Sequence, residues 1–256
     1  MSSDDRQKAL HGPVRYFRDS LIGRNAKGIV HNMNSPLQVL SMQIELLGME
    51  LNQLASLECD NQEVVSGINQ AAKRLGQLED IVSKINHLVK LVGSRVVDED
   101  KQEEQAPVMI NQLLEETLEF WKSDLFFKHK VFLNLHLPDA SPVVVTNEQH
   151  LKDALDSVLF ACIESQRKAA EPRIDVSVSM EGGSKVVMSF LANGASFSAN
   201  SLGISQNGTV DIKGRHPFSF TLLDLAMEVA RASMERIKGE LLLADDSIVL
   251  QLYAMS

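Results

Sequence analysis

Gly28-Ile29-Val30-His31-Asn32-Met33-Asn34-Ser35-Pro36-Leu37-Gln38 lies inside a stretch whose apolar residues recur at Ile22, Ala26, Ile29, Met33, Leu37, Leu40, Ile44, Leu47, Leu51 and Leu54. Steps of three and four residues are the spacing of a helix with one inward seam, and the irregular pair of fours around Met33 falls beside Pro36. Each residue turns a helix by about 100°, so His31 points roughly opposite Ile29 and away from the seam. On its own side stand Arg24, Lys27, Ser35 and Gln38. The imidazole is thus expected in water, on a polar and partly basic stripe. Pro36 cannot donate to the carbonyl of Asn32, so a bend is expected just after the histidine.

Working outward, a second apolar series follows: Val64, Ile68, Ala71, Leu75, Leu78, Val82, Ile85, Val89 and Val92, in strict alternation of four and three. Between the two series, Cys59-Asp60-Asn61 marks a turn, with Asp60 as N-cap and Glu63 three residues on, a capping-box pattern. Two long helices and a short turn make an antiparallel hairpin. Ile81 and Leu88 widen the apolar face of the second helix beyond what one partner covers, so two hairpins are expected to pair into a four-helix bundle. That predicts a homodimer. On the N-terminal side, Gly12-Pro13 breaks any early helix, which sets residues 1–18 apart as an extension and begins the hairpin domain at 19–93.

Gly93 ends the second helix, and residues 94–106, with the run Asp98-Glu99-Asp100-Lys101-Gln102-Glu103-Glu104-Gln105, read as a charged linker. Beyond it, in 107–256, the period changes. Leu113 to Phe127 reads as a helix, 131–137 and 142–146 as strands, and Leu151 to Gln166 as a helix. Strands 174–180 and 185–191 flank the turn Glu181-Gly182-Gly183-Ser184. Phe220 to Ile237 reads as a helix ended by Gly239, and 240–244 with 248–253 as a closing hairpin. Helices segregated from antiparallel strands predict an α+β sandwich, one helical layer on one sheet.

The 256 residues carry a formal net charge of -9, which disfavours nucleic acid or an anionic membrane as the main partner. The basic residues on His31's stripe run against that sign. Cys59 and Cys162 are too few for a disulfide framework and fit a reduced cytoplasm. With no apolar run of transmembrane length and no signal-peptide pattern at Met1-Ser2-Ser3-Asp4-Asp5-Arg6, a soluble cytoplasmic protein is expected. The remaining histidines (His11, His87, His129, His136, His150, His216) lack metal-ligand spacing, so no metal site is expected.

Taken together the two halves resemble a two-component sensor histidine kinase reduced to its core. The stretch His31-Asn32-Met33-Asn34-Ser35-Pro36-Leu37 is similar to the family's H-box, and Pro107 through Leu151 to the opening of its ATP-binding domain, of Bergerat-like fold. The resemblance implies a dimeric four-helix bundle whose histidine carries a phosphoryl group on nitrogen. It also implies where the chain departs. Ser157 and Ala161 stand where magnesium-holding asparagines would sit, and Ala192-Asn193-Gly194-Ala195-Ser196 replaces the Asp-x-Gly-x-Gly box. Phe220-Thr221-Leu222-Leu223-Asp224-Leu225 replaces the glycine-rich lid hinge. Magnesium wants carboxylate or amide oxygens, adenine's amine wants an acceptor, and phosphates need glycines that admit backbone N–H groups. The expectation is therefore that ATP binding is lost. Asn32 replaces the acidic residue that in the family accepts the imidazole proton, and it is a poor base, so autophosphorylation is not expected.

What remains is phosphotransfer. A neutral imidazole is a good nucleophile near pH 7. Lys27, one turn away, either favours the neutral form and screens phosphoryl oxygens or is an ordinary solvated charge, and Arg24 likewise either serves the site or is an ordinary solvated charge. Ser35 either holds a water or a phosphoryl oxygen, as the resemblance implies, or caps the bend before Pro36 by bonding a backbone carbonyl. The site predicted is His31 with Lys27, Asn32 and Ser35. The function predicted is a histidine phosphotransfer protein of a phosphorelay, serving response-regulator receiver domains, with magnesium only on the receiver and no cofactor of its own. Its rivals are a non-catalytic dimeric scaffold or inhibitor and a divergent ATP-dependent histidine kinase.

Overall fold

In a computed structural model, residues 3–56, 61–95, 104–195, 197 and 221–254 are described. They fall into two units. One, the hairpin unit, is Asn25–Arg95; the other, the sandwich unit, joins Met1–Arg24 to Val96–Ser256. The division therefore falls within a helix, at residues 24 and 25, and not at the boundary expected between residues 18 and 19.

Helix α1 runs unbroken over Ser3–Ser56, through both Pro13 and Pro36. The expected break at Gly12-Pro13 is absent. Proline removes one backbone bond, here to the carbonyl of Ala9, and that loss is offset by the packing that follows at once: Val14, Phe17 and Leu21 are buried in the sandwich unit. Spaced at i, i+3 and i+7, they give the first part of α1 an apolar face of its own, with Arg15, Tyr16 and Asp19 in solvent.

Helix α2 spans Asn61–Gly93 and pairs with α1, where Arg74 donates to Glu50 Oε1 at 2.6 Å and to Gln43 Oε1 at 3.0 Å. The single seams read from the sequence divide in two. On α1, Ile29, Met33, Pro36, Leu40, Gln43 and Leu47 are half-buried, while Val30, Leu37, Ile44 and Leu51 are 41–55% exposed. On α2, Val64, Ala71, Leu78 and Ile85 are half-buried, while Ile68, Leu75, Val82 and Val89 are 44–56% exposed. Ile81 is buried and Leu88 half-buried within the hairpin, so the residues expected to overhang are inside. The overhang belongs to the heptad positions on the opposite flank of the seam. The turn and the capping box at Asp60 lie outside the described residues, as does most of the charged linker.

The sandwich unit begins its second segment with β1 (Ala106–Met109), which pairs antiparallel with β3 (Val143–Thr146). Between them come α3 (Ile110–Trp121), α4 (Leu125–Lys130) and β2 (Phe132–His136). One helix was expected from Leu113 to Phe127. Two form because Asp124 accepts from the backbone N–H of Phe127 at 2.9 Å and caps a new start. Helix α5 (Glu148–Gln166) is capped by Asn147, which accepts from His150 N–H. Strands β4 (Arg173–Glu181) and β5 (Lys185–Ala192) form the expected hairpin, its turn needing φ of 59° at Gly182 and 72° at Gly183. Helix α6 (Leu222–Arg236) starts with a capping box of Thr221 and Asp224, followed by β6 (Glu240–Leu243) and β7 (Ser247–Tyr253).

The five-stranded sheet has the order β2-β4-β5-β7-β6, antiparallel except for the β2–β4 pair, which is parallel. One face carries Ile174, Val176, Val186, Met188, Phe190, Ile248 and Leu250, all buried, under α5 and α6. This is the α+β sandwich expected, with one parallel pair the pattern did not foretell. After α6 the left-handed residue is Lys238, at φ 56°, and not a glycine. Gly239 is needed for room: a Cβ there would stand 2.9 Å from the Gln251 carbonyl oxygen and 2.5 Å from Met234 Cε.

Candidate functional site

His31 stands exposed on α1 within the hairpin unit. Lys27 and Ser35, one turn before and one turn after, are exposed as well, and Asn32 is half-buried. Helical spacing puts Lys27 and Ser35 each about 40° from His31, on either flank of it and within about 80° of one another, so a group bound to the imidazole is within reach of both neighbours. The structure thus brings together the predicted site residues along a single helix. Such a surface can deliver a nucleophile and one cation to an incoming phosphoryl group.

Arg24, seven residues before His31 on the same stripe, is spoken for in the sandwich unit. Its guanidinium pairs with Glu164, lies 3.5 Å from Asp124 Oδ2, and sits 4.9 Å above the centre of the Phe160 ring. Arg167 closes the ring of charges, at 2.8 Å from Asp124 and 2.5 Å from Glu164. Alternating two cations with two carboxylates leaves no unpaired charge in the group, which is the condition for a partly buried cluster to be tolerated.

The helix that the resemblance assigns to nucleotide, α5, is enclosed along most of its length. Ser157 and Ala161 have no solvent exposure, and the Ser157 hydroxyl donates to the Asp153 carbonyl at 2.7 Å. Trp121 Nε1 donates to Asp156 at 2.9 Å. Part of the cover comes from α1. Phe17 meets Phe160 edge-on, with centroids 5.7 Å apart, and Arg18 makes a two-pronged contact with Asp153 at 2.7 and 2.5 Å. Burial pushes the Asp153 carboxyl up from the usual range, and the Arg18 bonds pull it back. Arg236 is pushed down by burial and drawn back up by Asp153. Sequence reading missed this contact altogether. The signal was present, as the i, i+3, i+7 spacing of Val14, Phe17 and Leu21, but the proline beside it argued against a helix.

Elsewhere, a small hollow of about 130 Å³ is lined by Pro107, Met109, Gln112, Glu116 and Glu148. Among the described residues, no group of three or more histidine, cysteine or acidic side chains is placed to hold a metal ion. No helix among them is long and apolar enough to cross a membrane.

No protein-family pattern matches the sequence, and no curated protein does. Among solved structures, the chain is similar to the catalytic domain of histidine kinase ThkA, at 16% identity and TM-score 0.43 over 59% of this chain and 96% of that one. It is also similar to the mycobacterial sensor histidine kinase MprB, at 12% identity and TM-score 0.45 over 59% and 98%. Acinetobacter baumannii histidine kinase AdeS matches over 88% of this chain and 96% of its own, at 11% identity and TM-score 0.41.

Proposed function

We propose that the protein is a homodimeric histidine phosphotransfer protein that moves a phosphoryl group between receiver-domain aspartates through His31, without using ATP itself. The observation that carries this reading is the placement of His31. It is solvent-facing on a long helix, between exposed Lys27 and Ser35, on a hairpin with an uncovered apolar flank suited to self-pairing.

The step is a displacement at phosphorus. A neutral imidazole nitrogen of His31 attacks the phosphorus of the receiver's aspartyl phosphate. The P–N bond forms as the P–O bond to the aspartate breaks, the carboxylate leaves with the electron pair, and the proton on the other ring nitrogen passes to water. Lys27 offsets charge on the transferring oxygens, and Ser35 positions one of them. The reverse step hands the group to a second receiver. Magnesium belongs to the receiver. The enclosure of Ser157 and Ala161 supports a second domain that does not take nucleotide.

The test is transfer from a labelled, phosphorylated receiver. The label is expected on the protein and lost in His31→Gln, with the melting temperature unchanged because an exposed helical position carries little stability. Receivers that bind without labelling His31 would favour a dimeric scaffold. Labelling from magnesium-ATP alone, or a rise in Tm with magnesium-ATP, would favour a divergent kinase.

A further inference from the structure

The contact between the start of α1 and α5 is built like a ligand in a site. Its centre is aromatic: Phe17, 1% exposed, lies against Phe160, with Trp121 tilted 6.4 Å from the same ring. Each end is an acid clamped by an arginine. Asp153, 3% exposed, takes both prongs of Arg18; eleven residues further along α5, Glu164 together with Asp124 takes Arg24. Those acids are separated by about 16 Å of helix, and the two arginines by about 9 Å, a difference that two long side chains reaching outward can span. Val14 and Leu21, before and after Phe17 along the helix, are buried too. The outer face of the same segment, with Arg15, Tyr16, Asp19 and Gly23, stays in water. Its contacts with α5 named above are all made by side chains.

We propose that this face of α5 is a helix-binding site. Its resident ligand is residues 14–24 of the same chain, an amphipathic helix with apolar residues at i, i+3 and i+7 and arginines at i+4 and i+10. The sandwich unit then works as a receptor for a helix, and the segment carries the recognition. This inference stands apart from the reading of His31, since it is argued from residues of the sandwich unit and that reading from residues of the hairpin unit.

The experiment uses the full chain carrying Phe17→Ala and Arg18→Ala, which weaken the resident segment, and a fluorescent peptide of residues 12–26. The peptide is expected to bind the weakened chain at least about tenfold more tightly than the unaltered chain, whose own segment competes at high effective concentration. Binding should raise the Tm of the weakened chain. A peptide with Arg18→Ala, or a weakened chain that also carries Asp153→Asn, should lose about tenfold or more in affinity, because one side of a buried charged pair is left without its partner. Absence of binding to a weakened chain that circular dichroism shows to be folded would overturn the proposal. So would equal binding of the Arg18→Ala peptide. If the double variant does not fold, Arg18→Gln alone replaces it, and the same two results decide.

Discussion

Cys162 shows what burial does to one ionisable group. It has no solvent exposure, on the side of α5 within the sandwich unit, and burial pushes its thiol far above its ordinary value near 9. The folded protein therefore keeps this proton at a pH where the unfolded chain releases it. A folded-state pKa raised above the unfolded one gives stability that is fully present below about pH 9 and is lost as pH rises beyond it. The loss attributable to this thiol reaches about 1.4 kcal/mol per pH unit. Urea unfolding from pH 8 to 10.5, in the natural chain and in Cys162→Ala, separates it from the other basic-range groups: the stability difference between the two should narrow as pH rises. A constant difference would mean that the thiol ionises in the folded state.

At the scale of elements, hydrophobic spacing named the helices and strands well where an element has one job. The β4–β5 hairpin follows from alternation and two glycines, and α6 from its period and the Thr221-Asp224 cap. Legibility failed where tertiary packing overrode a local signal. Pro13 argues for a break, yet Phe17 and Leu21 lie just beyond it and are buried, Phe17 against Phe160, more than a hundred positions away. Asp124 looked like one polar residue inside a helix and is a cap. The site was readable to the extent that it is local: His31, Lys27 and Ser35 share one helix, and spacing alone places them. Arg24 shares that spacing, but its partners at 124 and 164 are distant in sequence.

The two apolar stripes of the hairpin were read as part of one seam, and their separation makes a sharper forecast. Each lies four residues after its half-buried series: Leu37 after Met33 and Ile44 after Leu40 on α1, Leu75 after Ala71 and Val82 after Leu78 on α2. In antiparallel helices an offset of the same sense places both stripes on one side of the pair. Covering each such residue is worth roughly 1 kcal/mol, since about half of it is already buried. A charge placed in the stripe should prevent pairing. Ile44→Glu or Leu75→Glu is expected to turn a dimer into a monomer by sedimentation at micromolar concentration. Val39→Glu, equally apolar and exposed but outside the stripe, should leave the dimer intact. A dimer that persists in both stripe variants would move the pairing surface elsewhere.

For the molecule as a whole, the two units differ in what holds them. In the sandwich unit the sheet face, α3, α5 and α6 bury a continuous set of large side chains, including Trp121, Phe160 and Phe190. In the hairpin unit Ile81 and Leu91 are the buried apolar side chains larger than glycine among the described residues, and the rest of its seam is half-covered. A long helix has little stability without packing on an apolar face, so the hairpin should open first. Its opening should stop where α1 enters the sandwich unit, near Arg24, because Phe17, Arg18 and Leu21 hold that end. Heat is therefore expected to give two transitions. The first, seen as helical circular dichroism, should move up by a few degrees for each tenfold rise in protein concentration, about the amount mass action gives when the folded form is a dimer. The second should be independent of concentration and be reported by Trp121, the single tryptophan, whose indole sits against Phe160 and bonds Asp156. Coincident curves from the two probes at every concentration would show one cooperative unit and remove the independence on which the hairpin's separate role depends.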